Sequence, residues 1–299
     1  MATRALRPAN PEVQALRRVE RRSRLAPIPY LAPVGLFLLG MYVYPIAHML
    51  LLSLFDPDFT LRHYQHLLTT PVYLQILLLT FRLAAVVTLV SLVFGYPVAY
   101  LLTTAPAQRR GFFLALVLVP LWTSVLVRNY AWMVLLSKNG VINQLLLAMG
   151  VVSKPLSFLF NTTGVVIGLT YILIPFMILA LHSVMAGIDR QLLRAGATLG
   201  ASPFQCFLRI FLPLSFPGIA AGCLLVFIMG IGSFITPALL GGGRVPMIAT
   251  LIESQVAGVL NWGLGSAISM VLLVATLILF AIYIWIVGTE NLLGAGKGI

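Results

Sequence analysis

Between residues 186 and 213 the chain reads AGIDRQLLRAGATLGASPFQCFLRIFLP, a segment set between two long apolar runs. Asp189 stands where it can cap a short helix on which Leu192, Gly196 and Leu199 share a face, with Ala195 beside them. Gly200 suits a left-handed helix ending, because glycine adopts positive φ without a Cβ clash. Ala201-Ser202-Pro203 restarts the chain, with Ser202 as N-cap and Pro203 at the first helical position. Leu212-Pro213 leads back into apolar sequence. The spacing predicts a helix–turn–helix with small residues on its crown, which permit close approach of another surface. The same pattern also suits an amphipathic helix resting on lipid.

Outward from this hairpin lie six apolar runs of about 20 residues or more, the length a bilayer requires. They cover residues 30–55, 74–103, 112–136, 163–185, 214–236 and 264–287. Of the 299 residues, 60% are hydrophobic and 9% charged. A soluble surface needs nearer a quarter charged, so lipid is the solvent that suits this chain. The fold class is an all-α integral membrane protein with six transmembrane helices. Residues 1–29 form a basic segment, 30–287 one membrane domain containing the hairpin, and 288–299 a tail. Pro97, Pro120 and Pro175 predict kinks in the second, third and fourth spans.

Charge sets the orientation. With the N-terminus inside, the cytoplasmic side holds Arg4, Arg7, Arg17, Arg18, Arg21, Arg22, Arg24, Arg109, Arg110, Arg190, Arg194, Arg209 and Lys297. The outer side holds Arg62, Lys138, Lys154 and Arg244. Thirteen against four places both termini in the cytoplasm. The net charge of +12 would suit nucleic acid, but no aromatic residue interleaves the N-terminal arginines before Tyr30. A lipid bilayer with anionic headgroups is the partner that the distribution favours, with no nucleic acid. The first apolar run is too long for a signal-peptide core and reads as a retained anchor. Cys206 and Cys223 have no ligand cluster around them and predict neither a disulfide nor a metal site.

Several function classes lose support. No Gly-x-x-x-x-Gly-Lys-[Ser/Thr] loop for ATP phosphates occurs, nor a Gly-x-Ser-x-Gly elbow or paired helical carboxylates. The chain reads as a non-enzyme. Neither half echoes the other, and no span carries a deep acid. Both facts weigh against an ion-coupled secondary transporter.

The hairpin resembles the cytoplasmic loop in the membrane subunits of binding-protein-dependent ATP-binding-cassette importers. That loop carries Glu-Ala-Ala, then Gly, then Ile-x-Leu-Pro. Here Arg194-Ala195-Gly196 is followed by Gly200, Ala201-Ser202-Pro203 and Ile210-Phe211-Leu212-Pro213 at the family spacing. Arg194 stands in place of the family Glu, and Gly196 in place of the second Ala. Residues 127–132 (VRNYAW), 139–143 (NGVIN) and 233–242 (SFITPALLGG) look like the spermidine/putrescine-type permeases, as do Met247-Ile248-Ala249 and Ile252-Glu253. The resemblance implies a type I importer permease fold and a polyamine-like solute. The same architecture also serves iron, opine, phosphonate and other solutes. It implies that Arg194, Ala195, Gly196, Leu199, Gly200, Ser202 and Pro203 couple to ATPase subunits that carry the ATP and Mg, with no cofactor on this chain. It also implies a second homologous permease subunit and an extracytoplasmic solute-binding protein.

Candidate path residues are Arg128, Asn129, Tyr130, Trp132, Phe234 and Glu253. Arg128 lies deep in the third apolar run, where it lines the path, holds an interhelical hydrogen bond or snorkels to the outer interface. Arg82 reads as a snorkeling anchor, and Trp122 and Trp132 as packing or belt residues. Asp56, Asp58 and Glu253 fall on the outer side. Glu253 suits either a passing solute, a docked binding protein or plain solvation. Gly218 and Gly222 make a small-xxx-small face for close helix packing or for a path-lining contact.

Overall fold

The computed structural model describes residues 28–55 and 58–287, which form helices joined by short connections. The basic segment before residue 28, Asp56, and the tail after residue 287 with Lys297 lie outside the described residues. The chain divides into two compact units, 1–52 and 53–299. In the first unit, α1 (Ile28–Leu54) is apolar all round, and Leu36, Phe37, Tyr42 and Tyr44 are exposed. Such a helix suits a lipid solvent.

The second unit opens with α2 (Arg62–Thr69) and the long α3 (Pro71–Thr104). At 34 residues α3 runs about 50 Å, well beyond a hydrocarbon core of about 30 Å. Next come α4 (Ala107–Leu118), a tight 3-10 turn (Val119–Trp122), α5 (Val125–Leu136) and α6 (Val141–Ala148). The remaining elements are α7 (Thr162–Met185), α8 (Arg190–Thr198), α9 (Pro203–Cys206), a π-turn (Phe207–Phe211) and α10 (Leu212–Ile231). The short α11 (Ile235–Gly241) and α12 (Ile248–Glu253) precede α13 (Trp262–Val287).

Two expected spans differ from the structure. The run at 112–136 is not one kinked helix: the segments Gln108–Trp122 and Val125–Ala148 meet at 95°. Pro120 lacks the amide that would continue the ladder, and Thr123 closes the turn by donating Oγ1 to Pro120 O at 2.8 Å. Thr123 and Ser124 are extended, so the chain restarts in a new direction. Pro97 and Pro175, by contrast, sit inside unbroken helices. The fifth span begins earlier than expected, running as one segment from Pro203 to Ile231, and stops at Gly232. Among the described residues, five helices are long and apolar enough to cross a membrane, or six when the bent pair is one span.

The core of the second unit is where α3, α7 and α10 pack together. Leu83, Val87, Leu169, Leu173, Met177, Leu181 and Val226 are buried there. Small residues set the helix separation: a Cβ on Gly222 would fall 2.7 Å from Met177 Sδ, and one on Gly218 3.0 Å from Val184 Cβ. The small-xxx-small face of α10 therefore packs on α7 inside this chain. At the far end from the hairpin, Ile248 N donates to Thr80 Oγ1 at 2.9 Å, joining α12 to α3.

Candidate functional site

The hairpin forms as local chemistry dictates. Asp189 Oδ1 accepts from Gln191 N at 2.8 Å, and Gly200 takes φ +85° to end α8. Ser202 and Gln205 make a reciprocal capping box, with Gln205 N donating to Ser202 Oγ at 3.3 Å and Ser202 N to Gln205 Oε1 at 2.9 Å. Pro203 opens α9. One residue of the expected crown is turned inward. Gly196 is buried, and a Cβ there would stand 2.8 Å from Ile210 Cδ1 and 3.2 Å from Cys206 Sγ. It lets the two arms close on each other rather than meeting an outside surface. Arg194 and Ala195 are exposed, and Leu199 is 89% exposed. Beside it Phe204, not singled out by the sequence, is 69% exposed. A large apolar side chain just after a helix start reads as core. What marks it as surface is the capping box that fixes its direction.

The hairpin is joined rigidly to the bundle. The π-turn runs from α9 into α10 without a break, so the returning arm and the fifth span are one body. Phe207 and Phe211 stack at 6.0 Å, and Tyr100 meets Phe207 edge-on at 5.6 Å. Tyr96 Oη lies 2.9 Å from Ser215 Oγ, tying α3 to α10.

On the opposite face, α5 packs against α7 and α11. Arg128 is 8% exposed and Asn129 fully buried, so Arg128 does not snorkel. Asn129 Nδ2 donates to Val125 O at 2.9 Å. Arg128 Nε and Nη1 and Asn129 Oδ1 have no hydrogen-bond partner among the described residues. Tyr130 is exposed, and Trp132 is half-buried with its ring 5.4 Å from Tyr171. Phe234 and Glu253 are exposed on other elements, with no hydrogen bond or ring contact to Arg128 among the described residues. Asn143, from the NGVIN stretch, is structural: its side chain holds Ser137 O, Leu156 O and Leu156 N at 2.8–3.1 Å. Arg82 is exposed.

A family model for the inner membrane component of binding-protein-dependent transport systems matches residues 28–287. The chain belongs to this family. The permease is 40% identical over 225 residues to the spermidine/putrescine transport system permease protein PotB of Escherichia coli, covering 75% of this chain and 82% of that one. It is 30% identical over 211 residues to the molybdenum transport system permease protein ModB of Mycobacterium bovis, covering 70% and 77%. Its fold matches a chain of a bacterial ABC transporter involved in the import of the acidic polysaccharide alginate, with TM-score 0.73, 19% identity, and 92% and 98% of the two chains covered. A second match, at TM-score 0.72 and 17% identity over 95% and 99%, is the alginate transporter in complex with an alginate pentasaccharide-bound periplasmic protein. The permease is thus a multi-pass inner-membrane protein of importer-permease fold, and its curated relatives are transport proteins rather than enzymes.

Proposed function

We propose that this permease moves a polyamine of the spermidine/putrescine kind across the inner membrane, driven by ATP hydrolysis on separate subunits. The carrying observation is the continuity of the Pro203–Ile231 segment, which makes the hairpin a lever on the fifth span. Exposed Leu199 and Phe204 give the lever an apolar tip for a cleft on an ATPase subunit, where the ATP and Mg would sit. The inverted charge at Arg194 moves that contact away from a family carboxylate and towards shape. A second, homologous permease chain would complete the path, and an extracytoplasmic binding protein would supply the solute. The 40% identity to PotB supports the polyamine assignment.

A second reading has its own observation. Arg128 is a buried cation, and Asp58, Asp189 and Glu253, the described acids, all lie outside the spans. An anionic solute would suit that balance. Uptake into vesicles holding the assembled transporter separates the readings. Labelled spermidine should accumulate with ATP, persist when the proton gradient is collapsed, and be competed by putrescine. Accumulation that ignores ATP and follows the ion gradient would reject the importer mechanism. Uptake of only an anion would reject the polyamine.

A further inference from the structure

On the hairpin side, a cleft of about 730 Å³ opens between the C-terminal end of α3, the start of α4 and the start of α8. Arg110, Arg190 and Arg194 line it, and no acidic residue does. Two of these cations converge on one atom. Arg110 Nη2 donates to Thr103 O at 3.4 Å, and Arg190 Nη2 donates to the same carbonyl oxygen. Arg110 Nε is buried with no hydrogen-bond partner among the described residues. The partial negative charge at the C-terminal end of α3 offsets only part of two guanidinium charges, and Arg110 Nε adds a donor with no partner among the described residues. Such a cleft is built for an anion.

We infer that this cleft binds a phosphate group, that of an anionic phospholipid in the cytoplasmic leaflet. Planar guanidinium groups match phosphate oxygens in pairs, which a lone acidic side chain would use less fully. The depth also fits a headgroup. Phe112 and Leu116, further along α4 than Arg110, and Leu101, on α3 just before Thr103, are large apolar side chains exposed at the surface. Acyl chains would lie along them while the phosphate entered the cleft. Basic pockets between helices on the cytoplasmic side hold headgroups in this way. Free phosphate would gain the same charges and nothing from the apolar rim. A lipid bound here would touch α3, α4 and α8 together, and so would brace the outgoing arm of the hairpin against the second span.

The test is native mass spectrometry of the full chain in detergent, titrated with phosphatidylglycerol or phosphatidylcholine. Wild type should prefer phosphatidylglycerol. The Arg110→Gln/Arg190→Gln variant should lose that preference about thirtyfold, the surface attraction of two charges at about 1 kcal/mol each. Arg110→Lys should keep part of it. Arg109→Gln, an exposed neighbour outside the cleft, should keep it all. Equal loss in Arg109→Gln, or no loss in the double variant, overturns the proposal. Displacement of the lipid by inorganic phosphate alone would assign the site to free phosphate and reject the lipid. Should the double variant fail to fold, photoactivatable phosphatidylglycerol on wild type decides: label must fall within residues 100–116 or 185–194, and label confined elsewhere rejects the site.

Discussion

The ring of Tyr100 meets that of Phe211 edge-on, with centroids 5.0 Å apart and planes at 88°. Tyr100 belongs to α3 and Phe211 to the π-turn that returns from the hairpin, so this contact fixes the lever to the second span. One turn away, Tyr96 and Ser215 share a hydrogen bond at 2.9 Å. Replacing Tyr96 by Phe should cost about 0.5–1.5 kcal/mol of stability, the net value of one such bond. Replacing Tyr100 by Leu removes two aromatic pairs, with Phe207 and Phe211, and should cost about 1–3 kcal/mol beyond area. The functional signature differs from the structural one: Tyr100→Leu should leave ATP hydrolysis running while solute uptake per ATP falls. Uptake and hydrolysis that fall together would mean the contact only holds the fold.

Gly196 is the point where the hairpin's arms touch. A methyl there meets Ile210 Cδ1, a flexible end, but Gly196→Val adds bulk against Cys206 as well. Overpacking of this kind costs about 1–3 kcal/mol. Gly196→Val should open the hairpin, weaken retention of the ATPase subunits and reduce uptake. A Gly196→Ala/Ile210→Val pair should restore both, since it returns the space. Failure of the pair to rescue would show that Gly196 acts by contacting a partner rather than by seating Ile210.

Leu199 and Phe204 carry the opposite expectation, because little of either is packed within the chain. Leu199→Asp and Phe204→Asp should leave the thermal midpoint of the isolated chain nearly unchanged. In the assembled transporter each should weaken association with the ATPase by about 2 kcal/mol or more, as apolar anchors at interfaces do. Co-purification at matched expression measures this. Full retention of the ATPase by both variants would remove the hairpin tip from the interface.

The hairpin was legible in the sequence because its determinants are local: Asp189, Gly200, Ser202 and Pro203 each act within a few residues of themselves. The inward turn of Gly196 was not, since helical periodicity groups it with Leu192 and Leu199, and only the returning arm brings Ile210 across from it. The break at Pro120 was half legible. Pro97 and Pro175 stand in equally apolar runs and leave their helices whole, so the proline alone does not decide; the extended Thr123 and Ser124 do. Arg110 and Arg190 counted only as charges on the inner side. Their convergence on Thr103 O depends on α8, where Arg190 lies 87 residues beyond Thr103, returning beside the end of α3.

Gly222 gives a prediction about the bundle itself. Its Cβ position is 2.7 Å from Met177 Sδ and 3.5 Å from Ala180 Cβ, so α10 and α7 cannot separate without opening the core. Gly222→Ala should be tolerated at modest cost, because the Met177 side chain is flexible and can give way. Gly222→Leu should cost about 1–3 kcal/mol and lower the yield of folded protein. A Gly222→Ala/Met177→Ala combination that is less stable than Gly222→Ala alone would show that Met177 fills space the glycine did not create.

Arg128 supplies the sharpest separation of stability from function. Its buried Nε and Nη1 lack partners within the described residues, and an orphaned buried donor costs about 1–3 kcal/mol. Arg128→Met keeps the length and the apolar stem but removes the charge, so the isolated permease should become more stable by that order. The same variant should abolish uptake in the assembled transporter if the guanidinium meets solute, binding protein or the second permease chain during the cycle. Arg128→Lys should lie between the two, retaining charge without the planar fork. Unfolding of the isolated chain in detergent and uptake by the reconstituted transporter are the paired measurements. A less stable Arg128→Met chain would mean that the guanidinium is satisfied within the fold, and the residue would then be part of the packing rather than the path.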